Sequence, residues 1–222
     1  MRGLIKAIKI TLFILVLPTL VLCQNSKLTI DIAGSPCFYN IKSAKGFNHD
    51  YKPKQSYNIG VDLLYRFNKR SLISLGFYYS SLSYNVVYNY IYSVQGDPSI
   101  PSSGNISAKY LDIPLIYSPW AYGFYISPKQ KLELNISTGI VSSMLLSSND
   151  NTTFEDNSIR NSGYLNSFVL SVQLGVGLKY IYNDKIGIVI EPQYKWFLKG
   201  IDKLMNQYPT AINGKVGIIF KL

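Results

Sequence analysis

The chain is poor in the residues that most often do chemistry. Its 222 residues include one His and two Cys, too few for a zinc site of several His and Cys ligands, an iron–sulfur cluster or a disulfide framework. Charged residues are only 15% of the total, and after residue 24 no stretch keeps the 3.6-residue period of an amphipathic helix, so a coiled coil or helical bundle is excluded. A P-loop, a Gly-x-Ser-x-Gly elbow and a His-Glu-x-x-His pair are all missing. What is abundant is apolar and aromatic: 47% hydrophobic residues and 19 Tyr, a composition that orders rather than solvates a chain. The length suffices for one domain with a sizeable core.

The net charge of +10 has two sources. Arg2, Lys6 and Lys9 open the chain, and without them the remainder is +7 (10 − 3). Those remaining cations are scattered, with no run longer than Lys69-Arg70. A nucleic-acid footprint clusters them on one face, so no nucleic-acid partner is expected.

Residues 1–9 are short and basic, and Ile10 to Leu22 is a 13-residue apolar run broken only by Thr11, Pro18 and Thr19. That pattern reads as an export signal, residues 1–23, cleaved after Cys23 to leave Gln24 first. It is shorter than the ~20 residues of a spanning helix. A lipid-modified Cys23 is the rival reading, and Leu22 before it, where a small residue is usual, counts against it. The mature domain then runs over 24–222 with one thiol, Cys37, and no internal disulfide.

Period-two alternation recurs along that whole domain. Leu28, Ile30 and Ile32 begin it. Tyr57, Ile59, Val61, Leu63, Tyr65 and Phe67 alternate with Asn58, Gly60, Asp62 and Arg66, then Ile73, Leu75, Phe77 and Tyr79 with Ser74, Gly76 and Ser80. Leu111 to Tyr117, Leu132 to Ile140, Phe168 to Tyr180, Ile186 to Trp196 and Val216 to Leu222 continue it, giving eight strands. Short connections follow the second and sixth strands, and a longer one holding Pro119 and Pro128 follows the fourth. Long polar ones lie at Ser35–Lys54, Asn85–Ala108, Ser147–Gly163 and Lys199–Ala211. An even strand number with short turns on one rim and long loops on the other is the layout of a closed, antiparallel, up-and-down transmembrane β-barrel of a bacterial outer membrane.

Alternation alone does not choose between a soluble barrel with apolar residues inside and a spanning one with them outside. Three features favour spanning. The polar faces carry Asp31, Asp62, Asp112, Glu133 and Glu191 against Lys27, Arg66, Lys179, Lys195 and Lys221, balanced charges that suit a self-paired, side-chain-filled lumen. Aromatics end the apolar faces: Tyr65, Phe67, Tyr117, Tyr180 and Phe220 toward the turns, and Tyr57, Tyr79, Phe168, Tyr194 and Trp196 toward the loops, as in the girdles at lipid–water interfaces. The chain also ends on a strand whose Lys215, Gly217, Phe220 and Leu222 resemble the C-terminal recognition signal of outer-membrane barrels, with Leu where Phe is more usual. A barrel-assembly machine is the partner this implies, capturing the last strand by strand addition.

Lys109-Tyr110-Leu111-Asp112-Ile113-Pro114-Leu115-Ile116-Tyr117 is similar to the Tyr-Leu-Glu-Ile-Pro-Leu segment of the PorT-like outer-membrane β-barrel domain family, and Gly175-Val176-Gly177 followed by Lys179-Tyr180 also resembles it. The resemblance spans the mature chain and implies fold and location rather than activity. Some members belong to secretion and gliding machinery, which implies a secretion-system or envelope protein as partner. Pro114 removes a ladder donor and is read as a bulge.

The expected function is that of a non-enzymatic outer-membrane barrel, embedded in outer-membrane lipid, whose loops bind something or whose body stabilises the envelope. No cofactor or metal is expected. The alternatives are an accessory of a secretion machine, a secreted soluble barrel binding lipid inside, and an outer-membrane enzyme built on His49 beside Asp50.

Overall fold

The computed structural model describes residues 28–41, 48–68, 70–89, 101–154, 159–161, 165–183, 185–201 and 209–222. The expected export signal, Gln24 and Lys27 lie outside them. The strands are β1 (Leu28–Asn40), β2 (Asn48–Pro53), β3 (Ser56–Arg66), β4 (Leu72–Asn89), β5 (Pro101–Ser127), β6 (Gln130–Phe154), β7 (Ile159–Asn161), β8 (Phe168–Tyr182), β9 (Ile186–Phe197) and β10 (Thr210–Lys221).

Eight of them close a ring. Each pairs antiparallel with the next in the order β1, β3, β4, β5, β6, β8, β9, β10, and β10 pairs back onto β1 from Thr29↔Lys221 to Asn40↔Thr210. The two short strands lie off the ring, β2 on β4 and β7 on β6. Closure satisfies the backbone along every wall, which an open sheet in lipid cannot do.

The register fixes the tilt. Following partners around the ring from Leu28 leads through Tyr65, Ile73, Tyr117, Thr138, Leu174, Tyr194 and Ile212 to Phe38, a stagger of 38 − 28 = 10 residues. With strands about 4.8 Å apart and a rise of about 3.3 Å per residue, that stagger over eight strands inclines them about 41°. Ile186 to Trp196 then rises about 25 Å, the height of an apolar band in lipid.

Side chains alternate about this wall as the sequence implies, with the greasy face outward. Along β9, Ile186, Ile188, Ile190, Tyr194 and Trp196 are exposed while Val189, Glu191, Lys195 and Phe197 are buried. The turns are built locally. Asn68 Oδ1 accepts from the N–H groups of Arg70 and Ser71 at 2.8 and 2.7 Å, closing the β3–β4 turn. Asn183 takes the left-handed conformation at φ 50° in the β8–β9 turn, which Asn tolerates better than most residues.

Three expectations need correction. The fourth connection is not long: β5 continues through Pro119 to Ser127, and a two-residue turn, Pro128-Lys129, leads into β6. A register shift between Tyr117 and Trp120 absorbs the chain around Pro119. Pro114 is not a bulge, because Leu75↔Leu115 and Tyr78↔Asp112 keep one register across it and only the pairs between them are lost, as a missing donor dictates. Finally, β4, β5 and β6 run into the expected loops Asn85–Ala108 and Ser147–Gly163, so much of that sequence is wall.

Candidate functional site: a charged lumen under an apolar cap

Glycines and short polar residues on the inward face make room for long charged ones. A Cβ at Gly217 would lie 2.8 Å from Ala33 Cβ and from the Ile32 carbonyl oxygen, so β10 approaches β1 closely only with glycine there. The charges form three tiers, ordered by strand position from the turn rim upward. Near the turns, Glu133 receives Arg66 Nη2 at 2.5 Å and Lys131 Nζ at 2.9 Å. At mid-height, Lys215 Nζ lies 2.6 Å from both Asp31 Oδ2 and Asp62 Oδ2, and the Tyr78 hydroxyl donates to Asp62. Beside them Ser137 Oγ donates to Glu191 Oε1 at 2.6 Å, with Lys179 also buried. In the upper tier Asp112 Oδ2 accepts from Lys195 Nζ and Ser80 Oγ, each at 2.8 Å.

Of the expected network, the structure brings Asp31, Asp62, Arg66, Asp112, Glu133, Lys179, Glu191 and Lys195 into the lumen. Lys221 is the exception. It shares the inward parity but sits half-buried at the mouth, where β10 ends. Lys215, counted in the terminal signal and left out of the expected lumen charges, stands in its place at the centre. Lys131 is the other addition. The acids Asp31, Asp62, Asp112, Glu133 and Glu191 therefore meet Arg66, Lys131, Lys179, Lys195 and Lys215, five of each sign among the described residues. The signal for Lys215 was its parity with Gly217.

Above Lys195 the lumen changes character. Its ammonium lies 5.2 Å from the Phe197 ring centroid, and Phe197 joins Cys37, Tyr39, Leu82, Tyr84, Ile106, Ala108, Tyr110, Val169 and Ala211 in a buried apolar cluster. On β4 and β5 the outward side chains at this height are Ser81, Ser83 and Asn85, and Asn105, Ser107 and Lys109. Polarity thus inverts between Tyr79 and Ser81, and between Leu111 and Lys109, without any change in which residues face in. The barrel is apolar outside along its body and apolar inside above it.

The remaining space is small. A mid-lumen cavity of about 40 Å³, lined by Asp62, Asn135, Gln173, Lys179, Glu191 and Lys215 among others, has room for a few waters. It is far below the several hundred Å³ of a small-molecule site.

The expected girdle residues lie on the outer face. Tyr57, Phe67, Tyr117, Phe168, Tyr194, Trp196 and Phe220 are exposed, while Tyr65, Tyr79 and Tyr180 are half-buried among neighbours. Phe67 stacks on Tyr117 with centroids 6.2 Å apart, and Tyr57 meets Tyr79 at 6.5 Å. Leu222 is exposed, and its N–H donates to the Leu28 carbonyl at 3.0 Å. His49 lies in β2 opposite Tyr88. Among the described residues no three His, Cys, Asp or Glu gather as metal ligands.

A closed, tilted ring of this size with lipid-ready walls defines a transmembrane β-barrel of the bacterial outer membrane. The model of the family described as outer membrane protein beta-barrel domain matches residues 23–201, and the chain belongs to that family. No curated protein matches it. Among solved structures, OprG from Pseudomonas aeruginosa is 12% identical, with a TM-score of 0.47 over 88% of this chain and 96% of its own. Neisserial surface protein A is also 12% identical, with a TM-score of 0.43 over 88% and 97%. Ail of Yersinia pestis is 16% identical, with a TM-score of 0.37 over 87% and 97%.

Proposed function

We propose that this protein is a non-enzymatic outer-membrane barrel whose sealed body carries a binding surface built on the loop-side extension of β4, β5 and β6. The observation that carries this reading is the stacking of an apolar plug on a self-neutralised charge network. An open pore needs a continuous wet path, and a buried apolar cluster around Tyr84 and Phe197 on the loop side of the charges supports a body without one. A lumen filled by paired side chains leaves the surface beyond the membrane to do the work, and loops on a rigid scaffold are where binding concentrates.

The test is conductance of the refolded protein in planar bilayers. Steps indistinguishable from bare membrane are expected, and discrete single-channel steps would overturn the sealed reading. Export through a cleaved signal ending at Cys23, and capture of β10 by an assembly machine before it pairs with β1, belong to the same proposal. A second reading, an accessory of a secretion assembly, draws on the resemblance at Lys109–Tyr117. Crosslinking in cells to other envelope proteins distinguishes it from an autonomous surface protein.

A further inference from the structure

The β5–β6 hairpin projects past the turn rim. β4 begins at Leu72 opposite Ser118, and the last bond on that side runs from Ala121 N to Arg70 O at 2.7 Å. From Tyr122 to Ser127, β5 therefore pairs with β6 alone, while β6 stays paired to β8 as far as Gln130↔Tyr182, so the tip reaches about 10 Å below the β3–β4 turn at the barrel's tilt. Its outward side chains continue the lipid-facing column: Trp120 stacked on Tyr122 with centroids 6.3 Å apart, then Phe124, at 41%, 57% and 48% exposure, and at the tip, where the register shifts, Tyr125 and Ile126 are exposed at 66% and 59%.

Two physical demands place this flap. Its unpaired β5 edge leaves backbone N–H and C=O groups that hydrocarbon would not satisfy, so it does not enter the bilayer core. Its apolar face disfavours bulk water. Only the headgroup zone meets both, and there Trp and Tyr are at home. Charge selects the lipid. Arg70 and Lys129 are exposed beside the flap, and the acid on its own strands, Glu133, is buried and paired with Arg66 and Lys131.

We propose that the hairpin lies in the headgroup layer of the leaflet on the turn side and binds anionic phospholipid, with Arg70 and Lys129 on the phosphates and Phe124 and Ile126 among the upper acyl carbons. This rests on the barrel's place in the membrane and not on what the loops bind.

The test is fluorescence in nanodiscs holding one protein each. The chain has two Trp, so Trp120→Phe and Trp196→Phe clear the background for a Phe124→Trp probe. Blue-shifted emission is expected, quenched by lipid brominated high on the acyl chain and little by aqueous iodide. Brominated phosphatidylglycerol should quench more than brominated phosphatidylcholine, and Arg70→Gln or Lys129→Gln should each lower that preference by up to about fivefold. Water-like emission with full iodide quenching would overturn the placement, leaving the flap to a protein partner. Equal quenching by the two lipids would overturn the anionic choice. Should the Phe124→Trp protein fail to fold, as read by gel mobility before heating, Ile126→Trp carries the same test.

Discussion

Lys215 holds the most consequential position at the scale of single residues. Among the described residues it alone forms ion pairs with both Asp31 and Asp62, which are almost wholly buried. Lys215→Met leaves two carboxylates facing one another in a low-dielectric wall and is expected to cost about 3–5 kcal/mol. Adding Asp31→Asn should restore part of that, a coupling read by a double-mutant cycle of urea unfolding in lipid vesicles. Additive costs would show that the lysine is not their shared partner. Gly60 offers a second check. It pairs with Tyr78, and a Cβ there would run into the Phe77 carbonyl oxygen and sit 2.6 Å from the Tyr78 ring. Valine ordinarily favours strands, yet Gly60→Val should destabilise by about 1–3 kcal/mol through overpacking, since it displaces the ring that bonds Asp62. A neutral or stabilised variant would contradict the close packing of that pair.

Strands were legible where the wall meets lipid on one side and charge on the other, because that contrast writes a period of two into the sequence. Phe168 to Tyr180 and Ile186 to Trp196 read correctly for this reason. The extension of β6 past Ser147 is polar on nearly every residue and carries no period of two, and the same rule hid those of β4 and β5. There the inward residues are Leu82, Tyr84, Val86 and Ile106 and the outward ones Ser and Asn, so a strand of inverted polarity reads as a polar loop. Pro119 hid the lower half of β5 in another way, because a proline ending one stretch of alternation looks like a boundary until a register shift carries the strand past it. The charge network was legible in its members but not its partners, since parity gives the face and only the stagger around the ring gives the height. Element-scale consequences follow for the upper wall. Ile106→Lys, inward in the cap, should cost more than Ser107→Lys, outward beside it, by about 2–4 kcal/mol. Similar unfolding midpoints for the two would show that the cap is not a packed core.

For the molecule as a whole, the body of the barrel works only with its apolar face outward. Leu174 lies near mid-height and is half exposed, while its neighbour Gln173 is buried in the lumen. Leu174→Arg should cost about 2–4 kcal/mol in a bilayer, against a smaller effect for Gln173→Ala. The most direct measurement is spin-label accessibility along β8 in vesicles, one cysteine at a time from position 172 to 179 in a Cys37→Ser background. The account predicts a period of two, with positions 174, 176 and 178 open to oxygen dissolved in lipid and 173, 175 and 177 shielded from it. Labels at 174, 176 and 178 that are instead reached by a water-soluble nickel reagent, or a profile without alternation, would contradict it.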